Sequence, residues 1–186
     1  MAEKKGKKKW YEVLARRPFT DQIIGETPAY EDKALIGRII SSNLGNLTRD
    51  PKLQNIKINF RINEIKEDKA YADVKGYELS GSYLKRIIKV GKNRIDDSFL
   101  VNTKDNVKVK IKPLILTKYK TQKKILGSIR NLIRKEFSEY VGRDDYDKLV
   151  SDLIGKKIQR EIREKINKIY PVGIVEIRIM DRINSS

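Results

Sequence analysis

Asp144, Asp145 and Asp147 place three carboxylates within four residues, the densest acidic cluster in the chain. Carboxylates so grouped could hold Mg²⁺ for hydrolysis of a phosphodiester. The competing reading is a helix N-terminus, where acids favour the macrodipole and Asp144 would act as the cap. If a helix starts at Asp144, the three cannot all converge on one ion. Other chemistries are excluded by residue type. The 186 residues contain no His and no Cys, so there is no imidazole base, no thiolate nucleophile, no disulfide and none of the common His- or Cys-ligated metal sites. A Ser-His-Asp hydrolase is ruled out. The phosphate-cradling signatures G-x-x-x-x-G-K-[ST] and G-x-G-x-x-G are absent. Gly155-Lys156-Lys157 lacks the upstream Gly of a phosphate loop, and lacks the second Gly of a KH loop. No cofactor is expected.

Charge carries more information. Lys and Arg number 42 against 25 Asp and Glu, a formal net charge of +17. A folded domain with that excess repels itself, and a polyanionic partner is the physical reason to keep it. Nucleic acid is the first candidate and an anionic membrane surface the second. The charge is clustered. Lys4, Lys5, Lys7, Lys8 and Lys9 open the chain; Lys85, Arg86, Lys89, Lys92 and Arg94 form a second group without an acid. Residues 108–135 hold Lys108, Lys110, Lys112, Lys118, Lys120, Lys123, Lys124, Arg130, Arg134 and Lys135, again with no acid. The sign then reverses over 136–152 with Glu136, Glu139, Asp144, Asp145, Asp147 and Asp152. A long basic stretch beside an acidic island suggests one face on RNA or DNA and another turned away. Lys7-Lys8-Lys9-Trp10-Tyr11, with Arg16-Arg17 following, and Lys118-Tyr119-Lys120, leading to Lys123, Lys124, Arg130 and Arg134, put phosphate-seeking cations beside stacking rings. Trp10 could instead anchor the N-terminal segment in the core, and the lysines of 108–112 could be a solvated face or edge protection.

The elements that would position these groups follow from periodicity. Residues 1–33, Lys-rich with Pro18 and Pro28, suggest a basic arm, partly extended, whose first nine or so residues order only on RNA. Residues 34–41 form an apolar run suited to a buried strand. Residues 55–63 alternate, with Ile56, Ile58, Phe60 and Ile62 on one side, and a turn at Glu67-Asp68-Lys69 leads to Ala70, Ala72 and Val74, a hairpin. Leu84, Ile87 and Ile88 mark a short helix behind Ser80 and Ser82, stopped by Gly91. A second hairpin turns at Lys104-Asp105-Asn106, and Pro113 ends or bulges its return strand. Ile125, Leu126, Ile129, Leu132, Ile133, Phe137 and Tyr140 form an amphipathic stripe that Gly142 would stop. Two more helices carry Leu149, Val150, Leu153 and Ile154, then Ile158, Ile162, Ile166 and Ile169. Val175, Ile177 and Ile179 form a closing strand. Strands, then helices, then a strand give an α+β fold: an arm over 1–33, one RNA-binding domain over 34–182 and a tail at 183–186. No apolar run approaches the ~20 residues that span a bilayer, and no apolar segment follows the basic start, so neither a membrane span nor a secretory signal is expected. Abundant Lys, Glu and Ile without Cys also suit a heat-loving source.

The chain resembles the archaeal and eukaryotic small-subunit ribosomal protein family eS-one, older name S-three-Ae, over roughly residues 7–180. The opening Lys7-Lys8-Lys9-Trp10-Tyr11 matches the family's start. Leu35, Gly37, Arg38, Ile39, Leu44 and Leu47 fit its signature, with departures at Ser41, Asn43 and Asn46. Thr117-Lys118-Tyr119-Lys120, Ile154-Gly155-Lys156 and Ile169-Tyr170-Pro171 fit as well. The resemblance implies a barrel-like antiparallel sheet with helices and a structural cytoplasmic role in the small ribosomal subunit, on the platform near the messenger exit. It also implies ribosomal RNA, neighbouring ribosomal proteins and messenger RNA as partners, and no catalytic or metal residues. Neutralising about eight phosphates would give a log K against log salt slope of roughly −6. The alternatives are a metal-dependent RNA-processing enzyme built on the three aspartates, or a general nucleic-acid or membrane-surface binder.

Overall fold

The computed structural model describes residues 7–183, and the chain divides into two compact units, residues 1–76 and 77–186. Lys4, Lys5 and the rest of 1–6, the bulk of the segment expected to order only on RNA, lie outside the described residues, as do 184–186 of the tail.

In the first unit, β1 (Lys9–Ala15) and β2 (Gln22–Ala29) pair antiparallel, with a bulge between Val13 and Leu14. Part of the stretch expected to be an arm is thus a hairpin. The physical reason is its apolar content: Tyr11, Val13, Ala15 and, in the connection, Phe19 are buried, and Phe19 meets Phe60 edge-on at 5.5 Å. The alternating run forms β4 (Ile56–Lys66), burying Ile56, Ile58, Phe60 and Ile62. A tight turn with Glu67 and Asp68 at positive φ leads into β5 (Lys69–Leu79). Residues Glu12–Ala15 of β1 run parallel to Lys69–Ala72 of β5. The order β2-β1-β5-β4 ends on β3 (Ile39–Asn43), antiparallel to β4.

The run 34–41 does not form the buried strand its apolarity suggests. Leu35 is buried in a turn, Gly37 takes φ +85° while its N–H donates to Ile62 O at 2.8 Å, and the strand starts only at Ile39, which is exposed. The left-handed backbone at Gly37 is what a side chain would oppose. Arg38 donates to Thr27 Oγ1 at 2.6 Å and Pro28 O at 3.1 Å, and so ties this turn to β2. Asn43 caps α1 (Leu44–Thr48) by accepting from Gly45 N at 2.9 Å. Gly45 sits so close to its neighbours that a Cβ would fall 2.9 Å from Gln54 Cγ, 3.0 Å from Gln54 N and 3.1 Å from Asp50 O. The signature-like segment is therefore a structural clasp.

In the second unit, Ser80 caps α2 (Gly81–Ile87). The strands β6 (Arg94–Asp96) and β7 (Phe99–Asn102) both pair antiparallel with β8 (Lys108–Thr117). β8 in turn pairs antiparallel with β9 (Val172–Ile183). Pro113 bulges β8 rather than ending it: the register shifts between Lys112 and Pro113, and the strand runs on through Leu114, Ile115 and Leu116, all buried. α3 (Lys123–Arg143) buries Ile129, Ile133, Phe137 and Val141 at a spacing of four, and Phe137 lies 5.7 Å from Phe99 of β7. Burying each such side chain contributes about 1.5–3 kcal/mol. Gly142 stays helical, and Asp145 rather than Asp144 is the N-cap of α4 (Tyr146–Ile154). α5 (Lys157–Asn167) lays Ile158, Ile162 and Ile166 against the core and packs on β9 and α3. The class is α+β. The expected barrel-like sheet is not found, since the strand paths described run between open edges and do not close.

Candidate nucleic-acid interface

In the first unit the expected contacts separate into free and engaged groups. Lys7, Lys8, Lys9, Trp10 and Arg17 are exposed, Trp10 at 64%. Lys8 Nζ lies 5.3 Å from the Tyr30 ring centre, and Lys9 reaches Asp68 at 3.9 Å, an exposed pair of little energetic weight. Tyr11, expected to stack on RNA, offers no stacking face: it is 1% exposed, and its hydroxyl donates to Asp32 Oδ1 at 2.6 Å. That bond, with burial and the negative charge of Asp32, pushes the phenol up to about 12. Alternation explains the split, since Trp10 and Tyr11 are neighbours on a strand and must face opposite sides. Arg16 is spent too: its guanidinium bonds Glu64 and stacks over Tyr71 at 5.1 Å.

In the second unit the β8–α3 connection and the first half of α3 hold a more open set. Lys118, Tyr119, Lys120, Lys123, Lys124 and Arg130 are exposed, Tyr119 at 67%. None of the five cations forms an ion pair with a described residue. Lys123 and Arg130 stand two turns apart on one face of α3, with Lys124 alongside. Arg134 continues that face, yet it donates from Nε at 2.7 Å and Nη2 at 2.8 Å to Asp97. This fork holds the Asp97 carboxyl below the usual carboxylate range and makes Arg134 a structural tie. The start of α3 is electrostatically inverted: its first turn has no acid, Lys123 and Lys124 occupy it, and the N-cap Gln122 makes no side-chain cap bond. Cations at the positive end of a helix dipole are unfavourable in isolation, and anions are favoured there.

The acidic island is mostly consumed internally. Lys165 bonds Glu136; Glu139 lies 3.9 Å from Lys135 and 3.8 Å from Arg143; Lys148 reaches Asp144 at 2.6 Å; and Asp152 meets Lys157 at 3.0 Å and accepts from Tyr140 at 3.0 Å. Asp144 ends α3, Asp145 stands at the N-cap position of α4 without a side-chain cap bond, and Asp147 lies in its first turn. Among the described residues no group of three acids is placed to hold a metal ion, and no helix is long and apolar enough to cross a membrane.

Sequence reasoning missed a basic stripe on and just before α5: Lys156, Arg160 and Arg163. Their spacing of four and three was a visible helical signal. The interleaved Glu161 and Glu164 diluted the local charge and hid it.

The family model for the ribosomal S3Ae family matches residues 1–185. The chain is 34% identical over 170 residues to the small ribosomal subunit protein eS1 of Staphylothermus marinus, covering 91% of this chain and 80% of that one. It is 31% identical over 172 residues to the protein of the same name from Nanoarchaeum equitans, covering 92% and 87%. A third, from Desulfurococcus amylolyticus, is 34% identical over 170 residues, covering 91% and 80%. The chain belongs to the ribosomal S3Ae family.

Proposed function

We propose that this member of the ribosomal S3Ae family binds small-subunit ribosomal RNA through the β8–α3 connection and the start of α3, using Lys118, Lys120, Lys123, Lys124 and Arg130. The family is one of structural small-subunit ribosomal proteins rather than enzymes, and its place is the ribosome, hence the cytoplasm. The observation that carries the RNA reading is the inverted helix start: two lysines in the first turn of α3, no acid and no side-chain cap. Phosphates there would accept from the exposed cations and from the first N–H groups of the helix. Tyr119 adds a ring for an unstacked base. Exposed Lys7, Lys8, Lys9, Trp10 and Arg17 form a second contact set in the first unit. Neighbouring ribosomal proteins, and messenger RNA at the platform exit, complete the proposed surroundings; their support is the family resemblance.

The test is sedimentation of native extract on a density gradient with the protein detected in each fraction. The expected outcome is co-migration with the small subunit that ribonuclease abolishes. Migration at the top of the gradient without ribonuclease overturns the reading.

A further inference from the structure

A cavity of about 270 Å³ opens between α5 and β9 within the second unit, its wall including Tyr83 of α2, Lys156, Arg160 and Arg163, and Gly173 and Glu176 of β9. Three cations face one carboxylate. That carboxylate is engaged, because Lys156 Nζ donates to Glu176 Oε1 at 3.0 Å and the Tyr83 hydroxyl approaches the same oxygen at 3.5 Å. Arg160 and Arg163 are exposed and form no ion pair with a described residue. Spacing of three on α5 places the two guanidiniums side by side, in reach of one phosphate. Gln159 and Glu176 are both more than nine-tenths buried, and Gln159 Oε1 and Glu176 Oε2 are acceptors without a donor among the described residues. Buried acceptors of that kind ordinarily find a partner. At Gly173 a Cβ would stand 3.9 Å from Lys118 Cγ, so the cavity adjoins a lysine of the interface described above.

We infer that this cavity receives one nucleotide turned out of its stack in a single-stranded RNA segment. Its phosphate sits on Arg160 and Arg163, and its base lies against Tyr83, where rotation of the Gln159 or Glu176 side chain would bring a buried acceptor to its N–H groups. The inference rests on the RNA-binding reading above and names a subsite for it. Single strands supply an extruded base, whereas a duplex keeps its bases stacked and paired.

The test measures binding of the full chain to a labelled single-stranded RNA 12-mer and to the same sequence as a duplex. The Arg160→Gln/Arg163→Gln variant, altered only at exposed side chains, is expected to bind the single strand at least ten-fold more weakly, with a salt slope about 0.7 shallower for the one phosphate lost. Tyr83→Leu is expected to lose about five-fold or more while Tyr83→Phe keeps its affinity. Thermal melting shows that each variant is folded. Equal loss on strand and duplex would mean ordinary surface charge and overturn the inference. Unchanged binding by the arginine variant, while neutralising the α3 lysines still weakens binding, overturns the subsite alone. If the unaltered chain binds neither RNA, the broader reading falls with it.

Discussion

Replacing Lys118, Lys120, Lys123, Lys124 and Arg130 together with Gln removes five exposed charges that form no ion pair with a described residue. If each neutralises one phosphate of a single strand, the variant's log K against log salt slope becomes about 3.5 shallower than that of the unaltered chain. Between 50 and 200 mM salt the unaltered chain should then lose about 100-fold more affinity than the variant. Stability should hold, since exposed substitutions of this kind cost within about 0.5 kcal/mol, and removing Lys123 and Lys124 from the first turn of α3 returns a few tenths. Titration of labelled RNA at four salt concentrations measures the slope, and a urea melt measures the fold. Equal slopes in a folded variant would refute the assignment of phosphate contacts to this segment. The change is smaller than the slope of about −6 for eight phosphates, because it counts five cations of one segment and leaves Lys7, Lys8, Lys9 and Arg17 in place.

Two further outcomes follow from the geometry. Arg134 depresses the Asp97 carboxyl in the folded state, so its contribution is present above the unfolded value of about 3.9 and is lost as pH falls through the lower folded value. Arg134→Gln should therefore lower stability slightly at neutral pH, limited by the exposure of the arginine, and should flatten the acid limb of stability measured by urea melts below about pH 4. A variant that keeps the unaltered acid limb would show that the fork does not shift Asp97. Gly45→Ala should lower stability by about 1–3 kcal/mol, since the added methyl meets the backbone of Gln54 and Asp50. A thermal melt within a degree of the unaltered chain would contradict that packing.

The alternation of Ile56, Ile58, Phe60 and Ile62 and the stripe Ile129, Ile133 and Phe137 were legible because one periodic face is buried in each. Residues 34–41 misled because apolarity does not reveal a left-handed Gly37 or the grip of Arg38 on β2. Asp144 has the residue type of a cap, yet its carboxylate accepts from Lys148 and the N-cap position falls to Asp145, whose side chain makes no cap bond. Clusters of cations were likewise visible, but their availability was not. Arg16 meets a glutamate 48 residues away and Arg134 an aspartate 37 residues away. Local composition holds no record of such partners, so charge density pointed to Arg16 and Arg134, which are tied to carboxylates, and passed over Arg160 and Arg163, which are exposed.

The parallel alignment of Glu12–Ala15 with Lys69–Ala72 also sets an order of events during synthesis. During synthesis β1 can pair with β2 as soon as that strand has emerged, yet its other edge stays bare until β4, the turn at Glu67-Asp68 and the start of β5 have emerged. Long-range parallel pairing of this kind is slow relative to local hairpins and leaves an adhesive edge exposed in the interval. The nascent chain therefore carries Tyr11, Val13 and Ala15, all buried at the end, as an open apolar face for much of its own translation. Lys7, Lys8 and Lys9, exposed just ahead of that face, set positive charge beside it.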